Sequence, residues 1–182
     1  MLTKKIQNSM LRSVVEWLIA ITIAALFFFG MRNFVFRVAH VSGSSMAPTL
    51  THGDMVILNR FTYLFQSPQR GDIVAFPFEG NPSEHYIKRI IALPGDVVDL
   101  RENAFYINNV PLNDEFSFAP ILSRGDVQFP ITIPDDYYFV LGDNRNGSKD
   151  SRFVVVGNVR ASDMVGKVFI QIWPLNQFGR VH

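Results

Sequence analysis

Apolar positions crowd into one run near the N-terminus and then break into short stretches for the rest of the chain. From Val14 to Met31 every residue is apolar except Glu16 and Thr22. A helix of about 18–20 apolar residues can cross a bilayer. The run therefore predicts a membrane anchor over residues 13–36, preceded by a polar segment over 1–12. A core helix of a soluble domain and a cleaved leader fit the same pattern. Phe27-Phe28-Phe29 lacks the small residues of a leader cleavage site, which favours a retained anchor. Lys4, Lys5 and Arg12 before the run favour a cytoplasmic N-terminus, with Arg32 and Arg37 counting the other way. The body of the protein is then extracytoplasmic.

From Val38 onward the texture changes to short β-rich runs that alternate with turn residues. Strands are predicted at 55–59, 73–78, 86–92, 97–100, 104–107, 137–141 and 165–173. Arg70-Gly71-Asp72 and Pro94-Gly95-Asp96 read as turns, and Asn108-Asn109 as a hairpin tip. The expected fold is mainly β, over 37–182. Residues 101–136 are the most turn-rich and read as a possible small insertion.

Charge adds one point. Through Arg37 there are five Lys/Arg against one acid, and beyond it twelve against fifteen. The basic start beside an apolar run fits a membrane surface. No basic patch with interleaved aromatics marks a nucleic-acid partner. The chain has no cysteine, which removes disulfides, thiol nucleophiles and cysteine metal sites. Its four histidines show no metal-ligand spacing.

Three segments carry candidate chemistry. The first is Ser42-Gly43-Ser44-Ser45-Met46-Ala47-Pro48-Thr49-Leu50, small residues that let a backbone approach a ligand. A serine hydroxyl needs a base to act as a nucleophile. His85 and Lys88 both lie near a predicted strand, but on a strand they point to opposite faces, so only one can face a given site. Lys88 sits among Tyr86, Ile87, Ile90 and Ile91. Burial there would lower its pKa into a useful range; a strand-edge lysine with its head in water is the plainer reading. The third segment, Gly142 to Arg152, follows an apolar strand directly. In it Ser148 is placed to aim a neutral lysine amine, and Asp150 and Arg152 to form a bracing ion pair. Singly, each also reads as a surface-loop residue. Phe61, Tyr63, Leu64 and Phe65 offer either a lipid contact or part of the core.

Taken in order, Ser45-Met46-Ala47-Pro48-Thr49-Leu50, Arg70-Gly71-Asp72-Ile73-Val74, Tyr86-Ile87-Lys88-Arg89, Leu93-Pro94-Gly95-Asp96 and Gly142 to Arg152 resemble the type I signal peptidases. The resemblance runs from the anchor to about Gly166. It implies the antiparallel β-fold of that family behind one transmembrane helix. It implies a Ser–Lys dyad, with Ser45 as nucleophile and Lys88 as base. Ser148 then orients the lysine, Asp150 and Arg152 brace the site, and Arg89 sits beside the base. Gly43 stands where many Gram-negative members carry a serine, so the oxyanion hole is expected from backbone N–H groups at Ser45 and Gly43. Neither metal nor cofactor is implied. The implied substrates are signal-peptide-bearing pre-proteins cut after a small-x-small site such as Ala-x-Ala, close to membrane lipid and the secretion translocon. The implied location is a cell membrane, or a thylakoid membrane. Two other readings share part of the pattern. A Ser–Lys autoprotease of the SOS-repressor type usually carries a DNA-binding domain and no anchor. A tethered β-domain that binds a partner would need neither Ser45 nor Lys88.

Overall fold

A single helix, α1 (Leu2–Phe34), opens the chain. At 1.5 Å per residue it is about 50 Å long. It therefore runs through the boundary expected at residue 12, and the basic segment forms its first turns. Its stretch Arg12–Gly30 has a mean hydropathy of 2.1, and none of it is buried against the protein. The two polar residues in the run are both satisfied within the helix. Arg12 Nε donates to Glu16 Oε1 at 3.0 Å, and Thr22 Oγ1 donates to the Leu18 carbonyl at 2.8 Å. Satisfied polar groups are what an apolar medium demands. The computed structural model describes residues 2–34, 36–78, 81–112 and 121–181.

The remainder is built on two antiparallel sheets. The strands are β1 (Phe36–His40), β2 (Met55–Asn59), β3 (Ile73–Phe78), β4 (Asn81–Ala92), β5 (Val97–Arg101), β6 (Ala104–Ile107), β7 (Val110–Pro111), β8 (Ile131–Thr132), β9 (Tyr137–Leu141), β10 (Val159–Arg160), β11 (Gly166–Trp173) and β12 (Gly179–Arg180). The larger sheet runs β1-β2-β11-β3-β4-β9-β10, with β12 pairing β11; the smaller runs β7-β6-β5-β8. All seven predicted strands are present. β4 begins five residues earlier than expected. The other strands were missed: apart from β1 they are two-residue pairings, too short for a period to show.

The hairpin at Asn108-Asn109 forms as expected. Both residues have positive φ (53° and 66°), and Ile107 pairs Val110 across them, as a two-residue primed turn requires. Glu102-Asn103 makes a second such turn, between Arg101 and Ala104.

The stretch read as a possible insertion supplies β6, β7 and β8 to the smaller sheet; its residues 113–120 lie outside the described ones. It is not a detached module. Phe105, Ile107 and Ile133 share one core with Ile91, Phe139 and Leu141 from the larger sheet. A second core gathers Met46, Leu50, Val56, Leu58 and Ile73 beneath the loop between β1 and β2.

The aromatic group after β2 divides. A short helix, α2 (Thr62–Phe65), leaves Phe61, Leu64 and Phe65 48%, 72% and 74% exposed. Tyr63 turns inward and donates from its hydroxyl to Asp72 Oδ2 at 3.0 Å. Burial, reinforced by that carboxylate, pushes its pKa up. Phe36, just beyond α1, pairs with Asn59 just before α2, so the exposed group lies at the α1 end of β1.

Candidate active site

The first candidate segment is the loop joining β1 to β2. Met46 and Leu50 are 1% and 0% exposed and pin the loop into the core beneath it. With those neighbours facing inward, Ser45 stays half-buried at the lip of a cleft. Met46 C=O accepts from the Leu50 N–H at 2.9 Å, and Ser44 C=O from the Ala47 N–H at 3.1 Å. The loop is thus a sequence of tight turns rather than a free strap.

Lys88 enters from β4. It is 1% exposed, and its Nζ lies 2.7 Å from Ser45 Oγ across 43 residues of chain. The same amine donates to the Ile87 carbonyl at 3.1 Å and stands 4.9 Å from the centre of the Tyr86 ring. Burial lowers its pKa from 10.5 to about 8, partly opposed by the carboxylates of Asp150 and Asp143. Desolvation wins because it acts on the ammonium directly, while both carboxylates are spent on arginine partners. The lysine is the buried base candidate and not a strand-edge residue in water.

The supporting residues fall into two braces. Arg89, the next residue on β4, grips Asp143 with a two-pronged contact, Nε to Oδ1 at 2.8 Å and Nη2 to Oδ2 at 2.7 Å. Its Nη1 donates to the Gly71 carbonyl at 2.9 Å, and Asp143 Oδ2 also accepts from Thr49 Oγ1 at 2.6 Å. Arg89 therefore ties β4 to both candidate loops from the face opposite Lys88. Asp150 and Arg152 form the second brace, fully buried, with Nε to Oδ1 at 2.7 Å and Nη2 to Oδ2 at 2.9 Å. Arg152 also donates to the carbonyls of Ser123, Arg145 and Ser148, and Asp150 accepts from the Gly142 N–H. A buried charge pair persists only when its remaining hydrogen-bond capacity is filled in this way.

Three expectations are modified. Ser148 is buried in the right segment, but its Oγ makes no hydrogen bond; the expected bond to Lys88 is not formed. The Gly43 N–H, expected in the oxyanion hole, donates to His52 Nδ1 at 3.3 Å. The Ser45 N–H, by contrast, donates to no protein acceptor among the described residues. Lastly, His85 and Lys88 both line the cleft, whose volume is about 360 Å³. They alternate along the strand as expected. However, β9 pairs β4 only from Arg89 onward, so the cleft borders the free edge of β4 at 85–88. His40 to Gly43 also line it.

The sequence reading missed Asp143, Asn144 and His52. Asp143 carried a signal: an acid directly after an apolar strand, with a neighbouring strand holding an arginine in an apolar run. His52 carried none, since its role depends on a turn returning it to Gly43.

Comparisons with known proteins place the chain in a family. The profile of the family described as "Signal peptidase, peptidase S26" matches residues 14–173. Signal peptidase I of Leptolyngbya laminosa is 39% identical over 160 residues, 84% of this chain and 76% of that protein. Signal peptidase I P of Bacillus subtilis subsp. natto is 34% identical over 173 residues, 91% and 92% of the two chains. A signal peptidase I from Enterococcus faecalis V583, known from a crystal structure, superposes with a TM-score of 0.48 at 33% identity, over 57% of this chain and 97% of that one. With a family profile running from residue 14 within α1 through both candidate loops and the strand between them, the chain belongs to the signal peptidase family, peptidase S26.

Proposed function

We propose that this protein is a membrane-bound serine endopeptidase that removes N-terminal signal peptides from secretory pre-proteins, with Ser45 as nucleophile and Lys88 as general base. The observation that carries the reading is the 2.7 Å approach of a fully buried lysine amine to a serine hydroxyl. An ammonium cannot accept a proton, and a pKa of about 8 leaves a usable neutral fraction near neutrality. The neutral amine takes the Ser45 proton as Oγ attacks the scissile carbonyl. The resulting oxyanion is met by the Ser45 N–H; a donor of this kind contributes about 3–4 kcal/mol. Lys88 then protonates the leaving amine, and water activated by the same lysine clears the acyl-enzyme.

The cleft walls favour an extended substrate. His40 at the end of β1 and His85 to Lys88 on β4 line it, which suits pairing by strand addition. The scissile bond is expected at a small-x-small site. The anchor α1 places the enzyme in the bilayer that holds a signal's apolar segment, with the N-terminus cytoplasmic by its basic residues. Phe61, Leu64 and Phe65, exposed at the anchor end, add a lipid contact.

The test is cleavage of a pre-protein with an Ala-x-Ala site by wild type and Ser45→Ala in detergent. Cutting after the second alanine by wild type alone is the expected result. Turnover by the folded Ser45→Ala protein would overturn the nucleophile assignment. Absence of turnover by folded wild type would favour a tethered binding domain.

A further inference from the structure

The Ser45 N–H can serve the oxyanion only if its direction is fixed before the substrate arrives, because a donor that must reorient loses most of its value. Its direction belongs to the Ser44–Ser45 peptide plane. That bond is trans, as the cis bonds of the described residues all precede proline. In a trans peptide the C=O and the following N–H point in opposite directions. Whatever holds the Ser44 carbonyl therefore aims the Ser45 N–H.

Two donors hold it. One is local, the Ala47 N–H at 3.1 Å. The other comes from a hundred residues away: Asn144 Nδ2 donates to the same carbonyl at 3.1 Å. The main chain of Asn144 acts on the next peptide, its N–H donating to the Ser45 carbonyl at 3.1 Å. One residue thus grips the peptide planes on both sides of the Ser45 Cα. The Asn144 carboxamide is itself held the right way round, since its Oδ1 accepts from the Gly147 N–H at 3.1 Å. Its chain neighbour Asp143 is locked by Arg89 and Thr49.

We propose that Asn144 is a positioning residue, which clamps the Ser44–Ser45 peptide so that the Ser45 N–H stands aimed at the developing oxyanion. It touches no reacting atom and acts only through that peptide. The inference rests on Ser45 being the nucleophile.

The test uses the full-length protein in detergent with two variants, Asn144→Asp and Asn144→Ala. The aspartate keeps the size and the acceptor for Gly147 but replaces the donor facing Ser44 by an oxygen. The alanine removes both side-chain bonds and adds no charge. Rates on an Ala-x-Ala peptide are read on the high-pH plateau, where Lys88 is neutral in every variant. We expect kcat to fall roughly tenfold to a hundredfold in both, the scale of a misplaced transition-state donor, with KM little changed. A peptide aldehyde, whose hemiacetal oxygen occupies the same hole, should weaken in parallel with kcat. Unchanged kcat and aldehyde affinity in both variants, or a rise in KM alone, overturns the inference. Ser45→Ala run alongside separates the two layers. If it retains turnover, the nucleophile assignment falls. If it is inactive while both Asn144 variants match wild type, only the clamp falls.

Discussion

At the scale of the residue, the proposed chemistry turns on one amine. Moving Lys88 from 10.5 to about 8 costs roughly 3 kcal/mol of folding stability whenever the native lysine is charged. The sign follows from proton counting. Between about pH 8 and 10.5 the unfolded chain binds more protons at this site than the native one, so stability rises with pH across that window. If Lys88 is the proposed base, its working form is neutral, so kcat/KM should climb about tenfold per pH unit below a midpoint near 8 and level off above it. Lys88→Arg should be inactive at every pH while remaining folded, because guanidinium does not deprotonate. A flat profile from pH 6 to 10, or turnover by the arginine variant, would remove Lys88 as the base.

At the scale of the element, the site depends on the segment after β9 pressing against the loop after β1. Gly142 marks the closest approach. A Cβ there would come within 3.0 Å of both Ser148 Oγ and the Ser45 carbonyl. That carbonyl is backbone and is already bonded to Asn144, so it cannot yield without moving Ser45. Gly142→Ala should therefore lose most of its turnover and about 1–3 kcal/mol of stability, the usual cost of overpacking. Turnover assays with chemical denaturation check both, and near-wild-type values would show that the two loops can separate freely.

This contact also marks where sequence reading stops. The strands were legible because short β-rich apolar runs are set off by turn residues, whereas the burial of Lys88 was not: its residues alone read more plainly as a strand-edge lysine, and only the family resemblance singled it out. Asp150 with Arg152 was readable as a local pair. Nothing local says that Asn144 reaches Ser44, that Asp143 takes Arg89, or that Gly43 is engaged by His52. Those partners lie up to a hundred residues apart or across a turn whose geometry the residues alone do not fix.

At the scale of the whole molecule, enzyme and substrate are expected to meet in one bilayer. The exposed trio Phe61, Leu64 and Phe65 lies at the anchor end of β1, on the same side as the end of α1. Replacing Leu64 and Phe65 with serine should slow cleavage of a vesicle-embedded pre-protein while leaving cleavage of a soluble peptide in detergent unchanged. An equal effect in both settings, or in neither, would count against a lipid contact.

The short passage from α1 to the cleft has its own consequence. Ser45 stands eleven residues beyond Phe34, the last residue of the helix. Fully stretched, that leash reaches at most about 40 Å; with five of its residues fixed in β1, it is shorter and stiff. On the proposed reading, α1 then works as a ruler as well as a tether. It would confine Ser45 to a shallow layer above the bilayer, so that a peptide bond is selected by its height over the membrane before its side chains are read. A matching small-x-small sequence deep in a mature domain would pass out of range, and the folded body of a secreted protein would be spared by distance alone.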